Sequence, residues 1–290
     1  MSSAWQLDKR RVRRSFEKAA ATYEAAAVLQ NEVCSRMLER LMLIKRLPST
    51  IIDAGCGVGN ALPALRERCP DATLIALDLA LNMLERARAR KPPRKNWFTR
   101  HAPPLAVCGD LELLPVKSGA AGMVWSNLAL QWVNEPRFAF AEMYRVLEPG
   151  GLLMFSTFGP DTLKELREAS EGVDGHTHVH RFIDLHDIGD MLIACGFADP
   201  VMDMETITMT YSDVRAVMRD LKAIGARNAA EGRPQGLSAK SVLKSIEQRY
   251  ETFRRDGKLP ATFEVVYGHA WKPMPRVSPT GKRVIDIKPG

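Results

Sequence analysis

Three glycines at alternate positions follow an acidic residue and form the clearest chemical pattern in the chain. An apolar run ends in Asp53, and the glycines come next, as Gly55, Gly57 and Gly59. Glycine lets the backbone turn tightly and lie against a ligand because no Cβ intrudes. The spacing differs from the G-x-G-x-x-G loop that binds a pyrophosphate, and the carboxylate of Asp53 would repel a phosphate. The pattern predicts a ligand with an ammonium group; an ordinary glycine turn is the alternative.

Acidic residues also end two later apolar segments. Residues 73–78 end in Asp78, and residues 105–110 end in Asp110. Together with Asp53, this places acids at the ends of three consecutive predicted strands. Ligands of open α/β sheets bind beyond the carboxyl ends of the strands. The three acids therefore predict one shared binding site rather than surface decoration.

Predicted strands and helices alternate through the first half of the chain. The predicted strands are 50–56, 73–78, 105–110, 121–126 and 151–157, and the predicted helices are 60–68, 81–90 and 135–147. This alternation indicates an α/β fold, a doubly wound, Rossmann-like sheet of parallel strands with helices on both faces. Alanine-rich residues 10–44 predict a long N-terminal helix ahead of the sheet.

The pattern changes after residue 157. Residues 158–182 are irregular in composition, and the later predictions are a helix at 184–195, strands at 197–211 and 261–270, and two helices within 212–257. We expect a single domain, 1–290. Its expected parts are an N-terminal helical lid (1–48), a ligand-binding half (49–157), a second half of the sheet (158–273) with helical insertions at 158–182 and 212–257 that form a lid, and a tail (274–290).

The composition indicates a cytoplasmic protein. A chain of 290 residues that is 46% hydrophobic can bury a substantial core. Five scattered cysteines without a C-x-x-C spacing favour reduced thiols. The N-terminal sequence has no apolar signal core, and no apolar run reaches the roughly 18 residues of a membrane helix. The net charge of +7 is consistent with nucleic acid, with an acidic partner protein or with an ordinary solvated surface.

The segment D-x-G-x-G-x-G at 53–59 resembles motif I of the class I S-adenosylmethionine (SAM) methyltransferases, and the Glu-Pro-Gly-Gly turn at 148–151 is similar to theirs. The resemblance implies SAM as cofactor and S-adenosylhomocysteine as product. Asp53 would face the methionyl ammonium, and the glycines would admit the cofactor to the backbone. Asp78 would accept hydrogen bonds from both ribose hydroxyls.

Four further residues would hold the adenine in this interpretation. Leu79 and Met83 would bracket the ring, and Asp110 with Leu111 would accept its amino hydrogen. Turn or N-cap roles are the alternatives for Asp78 and Asp110. Core packing is the alternative for Leu79 and Met83.

The residues after the fourth predicted strand would meet the methyl acceptor. Asn127 and Gln131 interrupt an apolar run, and Trp132 follows. We assign Asn127 to the cofactor and Gln131 and Trp132 to the acceptor pocket; a helix cap is the alternative for Asn127. Tyr23 interrupts the alanine-rich segment and would fold over the cofactor, unless it is a core tyrosine. His176, His178 and His180 alternate, but no acidic cluster accompanies them, and we expect no metal.

Three other stretches narrow the resemblance. They are an N-terminal set made of Arg13 to Phe16, Ala19 to Tyr23 and Leu29-Gln30, then Ser126 to Trp132, and last Phe263 to Trp271. Together they resemble the malonyl-[acyl-carrier protein] O-methyltransferases of biotin synthesis, over about residues 10–273. The segments 158–166 and 180–187 depart from the pattern of that family. Residues 260–263 resemble a mitochondrial complex I assembly factor that hydroxylates an arginine.

The family resemblance implies methylation of the free carboxylate of malonyl-acyl-carrier protein or malonyl-CoA, an early step of biotin synthesis. A carboxylate is already ionised at neutral pH, so the reaction needs alignment and desolvation rather than a base. An arginine would be the natural clamp for this carboxylate. Arg181 is the first candidate, and Arg145 and Arg215 are weaker ones; each could instead be a surface arginine.

The partner implied by the resemblance is an acidic acyl-carrier protein. Two sets of basic residues could form the docking face: Arg90, Lys91, Arg94, Lys95 and Arg100, or Arg219, Lys222 and Arg227. A solvated surface is the default role of such residues. We expect a monomer that binds neither nucleic acid nor membrane.

Other functions remain open at this stage. A methyltransferase for another small carboxylate or a quinol would share every cofactor residue. A SAM-binding complex I assembly factor or hydroxylase would bind SAM without forming S-adenosylhomocysteine. An RNA methyltransferase fits less well, because the sequence has no Asn/Asp-Pro-Pro-Tyr/Phe motif after the fourth strand and no separate RNA module.

Overall fold

One mixed sheet organises the protein. The computed structural model describes residues 6–90, 102–226, 228–232 and 240–275. Within them, seven strands pair in the order β3-β2-β1-β4-β5-β7-β6. The strands are β1 (Thr50–Ala54), β2 (Thr73–Asp78), β3 (Leu105–Cys108), β4 (Ala121–Asn127), β5 (Leu147–Phe158), β6 (Ala198–Tyr211) and β7 (Leu259–Trp271). Strands β1 to β5 are parallel, and β7 runs antiparallel between β5 and β6.

Helices cover both faces of this sheet, which confirms the predicted doubly wound α/β fold. They are α1 (Lys9–Ala19), α2 (Tyr23–Ala26), α3 (Val28–Met42), α4 (Leu62–Arg68), α5 (Leu81–Ala89), α6 (Pro136–Val146), α7 (Lys164–Ser170), α8 (Leu185–Ala194), α9 (Val214–Ala223) and α10 (Lys240–Tyr250). None of the helices among the described residues is long and apolar enough to cross a membrane.

Successive residues of the central strands feed two separate cores. Ile51 packs with α3 and α4 on one face, and its neighbour Ile52 packs with α6 and α8 on the other. Side chains alternate across a strand, so a strand covered on both faces must be apolar at every position. This explains the continuous apolar runs in β1 and β4, and it leaves the strand ends as the place for polar residues.

The predicted long helix over 10–44 is wrong: the chain forms three helices there. Helix α1 begins at the N-cap Asp8, whose side chain accepts a hydrogen bond from the Arg11 backbone. The break follows Ala20, where Thr22 Oγ1 donates to Ala19 O at 3.2 Å and to Ala223 O at 2.8 Å. The second bond ties the break to the end of α9, so a contact 201 residues away overrides the helix preference of alanine.

Three other boundaries differ from the sequence prediction. Strand β1 ends at Ala54 rather than residue 56, because Gly55 adopts a φ of +81°. Strand β3 ends at Cys108, so Asp110 lies in the following turn rather than on the strand. The segment 158–182 is not wholly irregular, since it contains α7. The buried Glu165 of this helix accepts a hydrogen bond from the backbone N–H of Thr262 in β7, at 3.0 Å.

Candidate active site

The glycine loop is fixed at the carboxyl end of β1. The backbone N–H groups of Gly55 and Cys56 donate to Leu77 O on β2, at 2.8 and 2.9 Å. A Cβ on Gly55 would lie 2.3 Å from the Cβ of Ala129, and its φ is positive. Only glycine fits there, and the loop consequently packs directly on the segment that follows β4.

Asp53 is buried at the end of β1, next to this loop. Its side chain is almost inaccessible, and its Oδ2 atom has no hydrogen-bond partner among the described residues. Burial and then the nearby charge of Asp78 raise its pKa from 3.8 to about 8. An unpaired buried carboxylate is costly unless a donor or cation reaches it. The arrangement therefore fits a ligand ammonium group at this point.

Asp78 joins the end of β2 to the glycine loop. Its two carboxylate oxygens accept hydrogen bonds from Gly57 N and Ala80 N, each at 2.8 Å. Burial raises its pKa to about 6, and these backbone bonds oppose the shift. Asp78 therefore does have the turn role that the sequence offered as an alternative. Each oxygen keeps a second lone pair, so the carboxylate can still accept from a ribose diol.

The residues expected around the adenine lie close to the N-terminal helix. Met83 is fully buried beside Ala19 and Ala20, and half-buried Leu79 packs in the cluster that contains Leu7. Leu111 is buried in the core on the opposite face of the sheet. Core packing is thus their arrangement in this structure, and their contacts with an adenine remain predictions.

Lys9 closes α1 onto the turn after β3. Its Nζ atom lies 2.9 Å from Asp110 Oδ1 and 2.5 Å from Glu112 Oε2. Asp110 also accepts from the backbone N–H of Glu112 at 3.1 Å. Sequence analysis missed Lys9 because it belongs to a dense basic run that resembles solvated surface, and no local pattern points to a partner 101 residues away.

Tyr23 lies over the glycine loop. A Cβ on Gly57 would sit 3.7 Å from its ring. Burial, with the charge of Asp78 next in size, raises the pKa of Tyr23 well above its usual value, so the hydroxyl stays protonated. Arg90 ties the same region together, since it donates to Val58 O at 2.7 Å and to Glu24 at 2.9 Å. Arg90 is therefore engaged inside the fold rather than free on the expected docking face.

A large cavity opens beside Tyr23. It measures about 940 Å³ including its mouth, and it is enclosed by the N-terminal helices, the segment after β4, α7, residues 178–182 and α9. Both predicted insertions thus contribute to it. Seven aromatic residues line its wall: Phe16, Tyr23, Trp132, Phe158, Phe182, Tyr211 and Phe263. The predicted acceptor residues Gln131 and Trp132 both lie in this wall.

Hydrogen bonds and ring contacts hold these wall residues. Gln131 Nε2 donates to Leu128 O at 2.7 Å. The Trp132 ring meets the rings of Phe16 and His180 edge to face, with centroids 5.2 and 5.1 Å away. The structure therefore presents a fixed, mostly apolar surface to an acceptor.

Asn127 joins three elements rather than capping a helix. Its Nδ2 donates to Gln30 O at 3.0 Å, and its Oδ1 accepts from Ser156 at 2.9 Å. The short 3-10 turn that follows begins after Ala129 and has no side-chain cap. Gln30 lines the cavity, and its Oε1 atom is buried without a hydrogen-bond partner among the described residues.

Arginine and lysine are absent from the described part of the cavity lining. Arg145 instead donates to Glu142 and to two carbonyl groups on the α6 side, and Arg215 pairs with Glu247 on the surface at 2.6 Å. The structure does not bring these two expected clamps to the cavity. Arg181 is exposed, although its neighbours His180 and Phe182 line the wall, and its role remains a prediction.

Of the expected docking residues, Arg219 and Lys222 lie exposed on α9. Lys91, Arg94, Lys95, Arg100 and Arg227 fall outside the described residues. The described part of the chain holds no group of three or more side chains suited to a metal ion. His178 of the alternating histidines instead lies 2.8 Å from Asp174 Oδ1.

Comparisons with known proteins identify the family of this chain. A methyltransferase domain family matches residues 52–155, which span the glycine loop, Asp78 and β4. The chain is 56% identical to a malonyl-[acyl-carrier protein] O-methyltransferase of Nitrosospira multiformis, covering 97% of this chain and 96% of the relative. It is 53% identical to a protein of the same description from Methylovorus sp., covering 99% and 97%.

Solved structures support the fold. A SAM-dependent methyltransferase from Thermotoga maritima superposes with a TM-score of 0.52 at 16% identity, covering 89% of this chain and 99% of the other. The YcgJ protein from Bacillus subtilis gives a TM-score of 0.56 at 17% identity, covering 82% and 99%.

Proposed function

Because this chain belongs to the malonyl-[acyl-carrier protein] O-methyltransferase family, we propose that it methylates the free carboxylate of a malonyl thioester on an acyl-carrier protein, with SAM as donor. The products are the malonyl methyl ester and S-adenosylhomocysteine. The ester hides the charge, so the acyl group can be elongated as an ordinary primer on the way to biotin. The observation that carries the proposal is the meeting of the Asp53 glycine loop and the aromatic cavity at Tyr23.

The residues around the loop fit SAM. The unpaired Oδ2 of Asp53 suits the methionyl ammonium, and Asp78 suits the ribose hydroxyls. Bound there, SAM supplies a methyl group on a positively charged sulfur. Tyr23 covers the loop from the cavity side, where its neutral hydroxyl can donate a hydrogen bond but cannot serve as a base at neutral pH.

The cavity supplies what carboxylate methylation requires. An ionised carboxylate needs no base, so the protein must align it and remove its water. A wall of aromatic and aliphatic side chains does this, with Gln131 and Trp132 fixed beside the glycine loop.

We place the carrier protein against α9. The helix turns Asp220, Leu221 and Ile224 toward the cavity and leaves Arg219 and Lys222 exposed beside it. Basic side chains on the same helix as these cavity-lining residues complement an acidic carrier and would speed its association. We also place the reaction in the cytoplasm, in keeping with five cysteines that are all described and all free.

The α9 assignment is tested by charge reversal. Arg219→Glu combined with Lys222→Glu should raise the KM for malonyl-acyl-carrier protein about tenfold at low salt, with a smaller effect at high salt. The KM for malonyl-pantetheine, which lacks the protein, should stay unchanged. The matched control is Arg86→Glu with Arg88→Glu, two exposed residues on α5. Equal effects of the two double variants would contradict docking on α9.

The reaction itself is tested by S-adenosylhomocysteine release from the purified protein with malonyl- or acetyl-acyl-carrier protein. We expect release with the malonyl form alone, and a mass increase of one methyl group that saponification removes. Turnover of both acceptors would contradict carboxylate methylation. SAM binding without release on any carboxylate acceptor would favour an assembly factor or hydroxylase instead.

A further inference from the structure

His178 occupies the cavity wall with an acidic residue behind it. Its Nε2 lies 2.8 Å from Asp174 Oδ1, and the two side chains are only 16% and 14% exposed. Asp174 also accepts a hydrogen bond from the backbone N–H of His176 at 3.1 Å, which fixes the carboxylate. A carboxylate held against one ring nitrogen fixes the tautomer and orientation of a histidine and stabilises the positive charge of a protonated ring.

Main-chain bonds also hold the segment that carries His178. Thr177 N donates to Gly232 O at 3.1 Å, and Thr177 O accepts from the side chain of Asn228. Residue 177 is therefore clamped to the second insertion from both sides. The histidine next to it cannot swing freely, so its place in the cavity wall is set before an acceptor arrives.

The described part of the cavity lining offers few partners for a carboxylate, and His178 is one of them. A carboxylate that leaves water for an apolar cavity must be paired or hydrogen-bonded. Lysine and arginine are missing from the lining among the described residues, and Asp220, which accepts from Tyr211 at 2.7 Å, adds an acid. His178 is a lining residue whose second ring nitrogen is available for a ligand while Asp174 holds the first.

We propose that His178, oriented by Asp174, donates a hydrogen bond to the carboxylate of the acyl acceptor and thereby selects acidic acyl thioesters over neutral ones. This inference rests on the proposed function, because it assigns the acceptor recognition of the same site. Because Nε2–H donates to Asp174, the donor to the substrate carboxylate is Nδ1–H, so the ring acts as the doubly protonated imidazolium and keeps both protons throughout. One carboxylate oxygen attacks the methyl carbon, and the second oxygen is the one that His178 holds.

Binding measurements test this independently of turnover. Wild type should bind malonyl-CoA more tightly than acetyl-CoA in calorimetry with S-adenosylhomocysteine present. His178→Gln should weaken malonyl-CoA about ten- to a hundredfold, as expected for a lost hydrogen bond to a charged group, and leave acetyl-CoA unchanged. His176→Gln is the matched control, since His176 is exposed and outside the cavity lining.

A second variant protects the test against misfolding. Asp174→Asn keeps the shape beside His178 but removes the charge, and it should also weaken malonyl-CoA selectively. In turnover assays both variants should raise the acceptor KM more than they lower kcat, while SAM affinity holds. A fall in kcat at unchanged KM would instead indicate that His178 and Asp174 act as a general base that removes a proton from an acceptor hydroxyl. That result would overturn the inference.

Two results separate the inference from the proposed function. If both variants still prefer malonyl-CoA to acetyl-CoA while wild type forms the methyl ester, the role of His178 alone is overturned. The same conclusion follows if Arg181→Ala loses this preference and His178→Gln keeps it. Selective binding of malonyl-CoA by wild type and its loss in His178→Gln, without ester formation, would support the histidine and reject the methylation.

Discussion

Cofactor binding should release a proton from Asp53. Burial and Asp78 raise the pKa of Asp53 to about 8, so the free protein carries a largely protonated side chain at pH 6. A ligand ammonium group needs the ionised form. The fraction ionised rises about twentyfold between about pH 6 and pH 7.5 when the pKa is about 8, and SAM affinity should rise by the same factor.

Calorimetry in buffers of different ionisation enthalpy measures this release directly. We expect nearly one proton per SAM at about pH 6 and somewhat less at pH 7.5. Asp53→Asn should abolish both the proton release and the rise in affinity, and should bind SAM weakly at every pH. An affinity that stays constant in wild type over this range, or binding without proton release, would refute an ammonium partner for Asp53.

The same shift makes a second, opposite prediction for the free protein. A carboxyl whose pKa is raised on folding binds protons more tightly in the folded state, so stability falls as pH rises from about 4 to about 8. The contribution is at most about 6 kcal/mol at 1.36 kcal/mol per pKa unit. Asp53→Asn should therefore stabilise the free protein at pH 8 in urea unfolding, although it impairs binding.

Two further substitutions probe the loop and the N-terminal helix. Gly55→Ala should lower the free energy of unfolding in urea by about 2–4 kcal/mol, because a Cβ there would lie 2.3 Å from the Cβ of Ala129. The control Gly119→Ala has a similar φ but open space around it, and should lower the free energy by only about 1–2 kcal/mol. Equal losses would contradict the steric argument. Lys9→Met should change the free energy of unfolding by less than about 1 kcal/mol, since the ion pair of Lys9 is partly exposed. The same variant should raise the dissociation rate of SAM several-fold in stopped-flow measurements. An unchanged rate would show that α1 does not retain the cofactor.

Local chemistry explains which features the sequence could predict. The Asp53 loop was recognisable because a buried strand, a tight turn and close backbone approach are all imposed within ten residues. Asp78, at the end of β2, followed from a strand end in the same way, whereas Asp110 lies in the turn after β3 rather than on the strand. The cofactor side of the site was therefore accessible to sequence reasoning, as was the alternation that defines a parallel sheet.

Long-range contacts explain what was missed. The break before Tyr23 depends on a bond from Thr22 to residue 223, and the closure of α1 depends on Lys9 reaching Asp110. In the sequence His178 is one of three alternating histidines, and only the structure shows its contact with Asp174. The acceptor side draws on segments spread from Phe16 to Phe263, and no local pattern brings such residues together. Arg145 and Arg215 were expected as carboxylate clamps from residue type alone, and the structure instead pairs them with Glu142 and Glu247.

The N-terminal segment physically couples the two halves of the site. Its backbone pairs with the second insertion through Asp8 N to Ala229 O, at 2.9 Å, and Glu231 N to Gln6 O, at 2.8 Å. Helix α1 then closes on the cofactor side through Lys9, while Phe16 of the same helix packs on Trp132 in the acceptor wall. A displacement of α1 would therefore disturb the aromatic wall of the cavity as well as the turn after β3. Contacts shared by two sites couple their binding free energies, so we expect SAM bound at the glycine loop to strengthen the binding of the acceptor in the cavity.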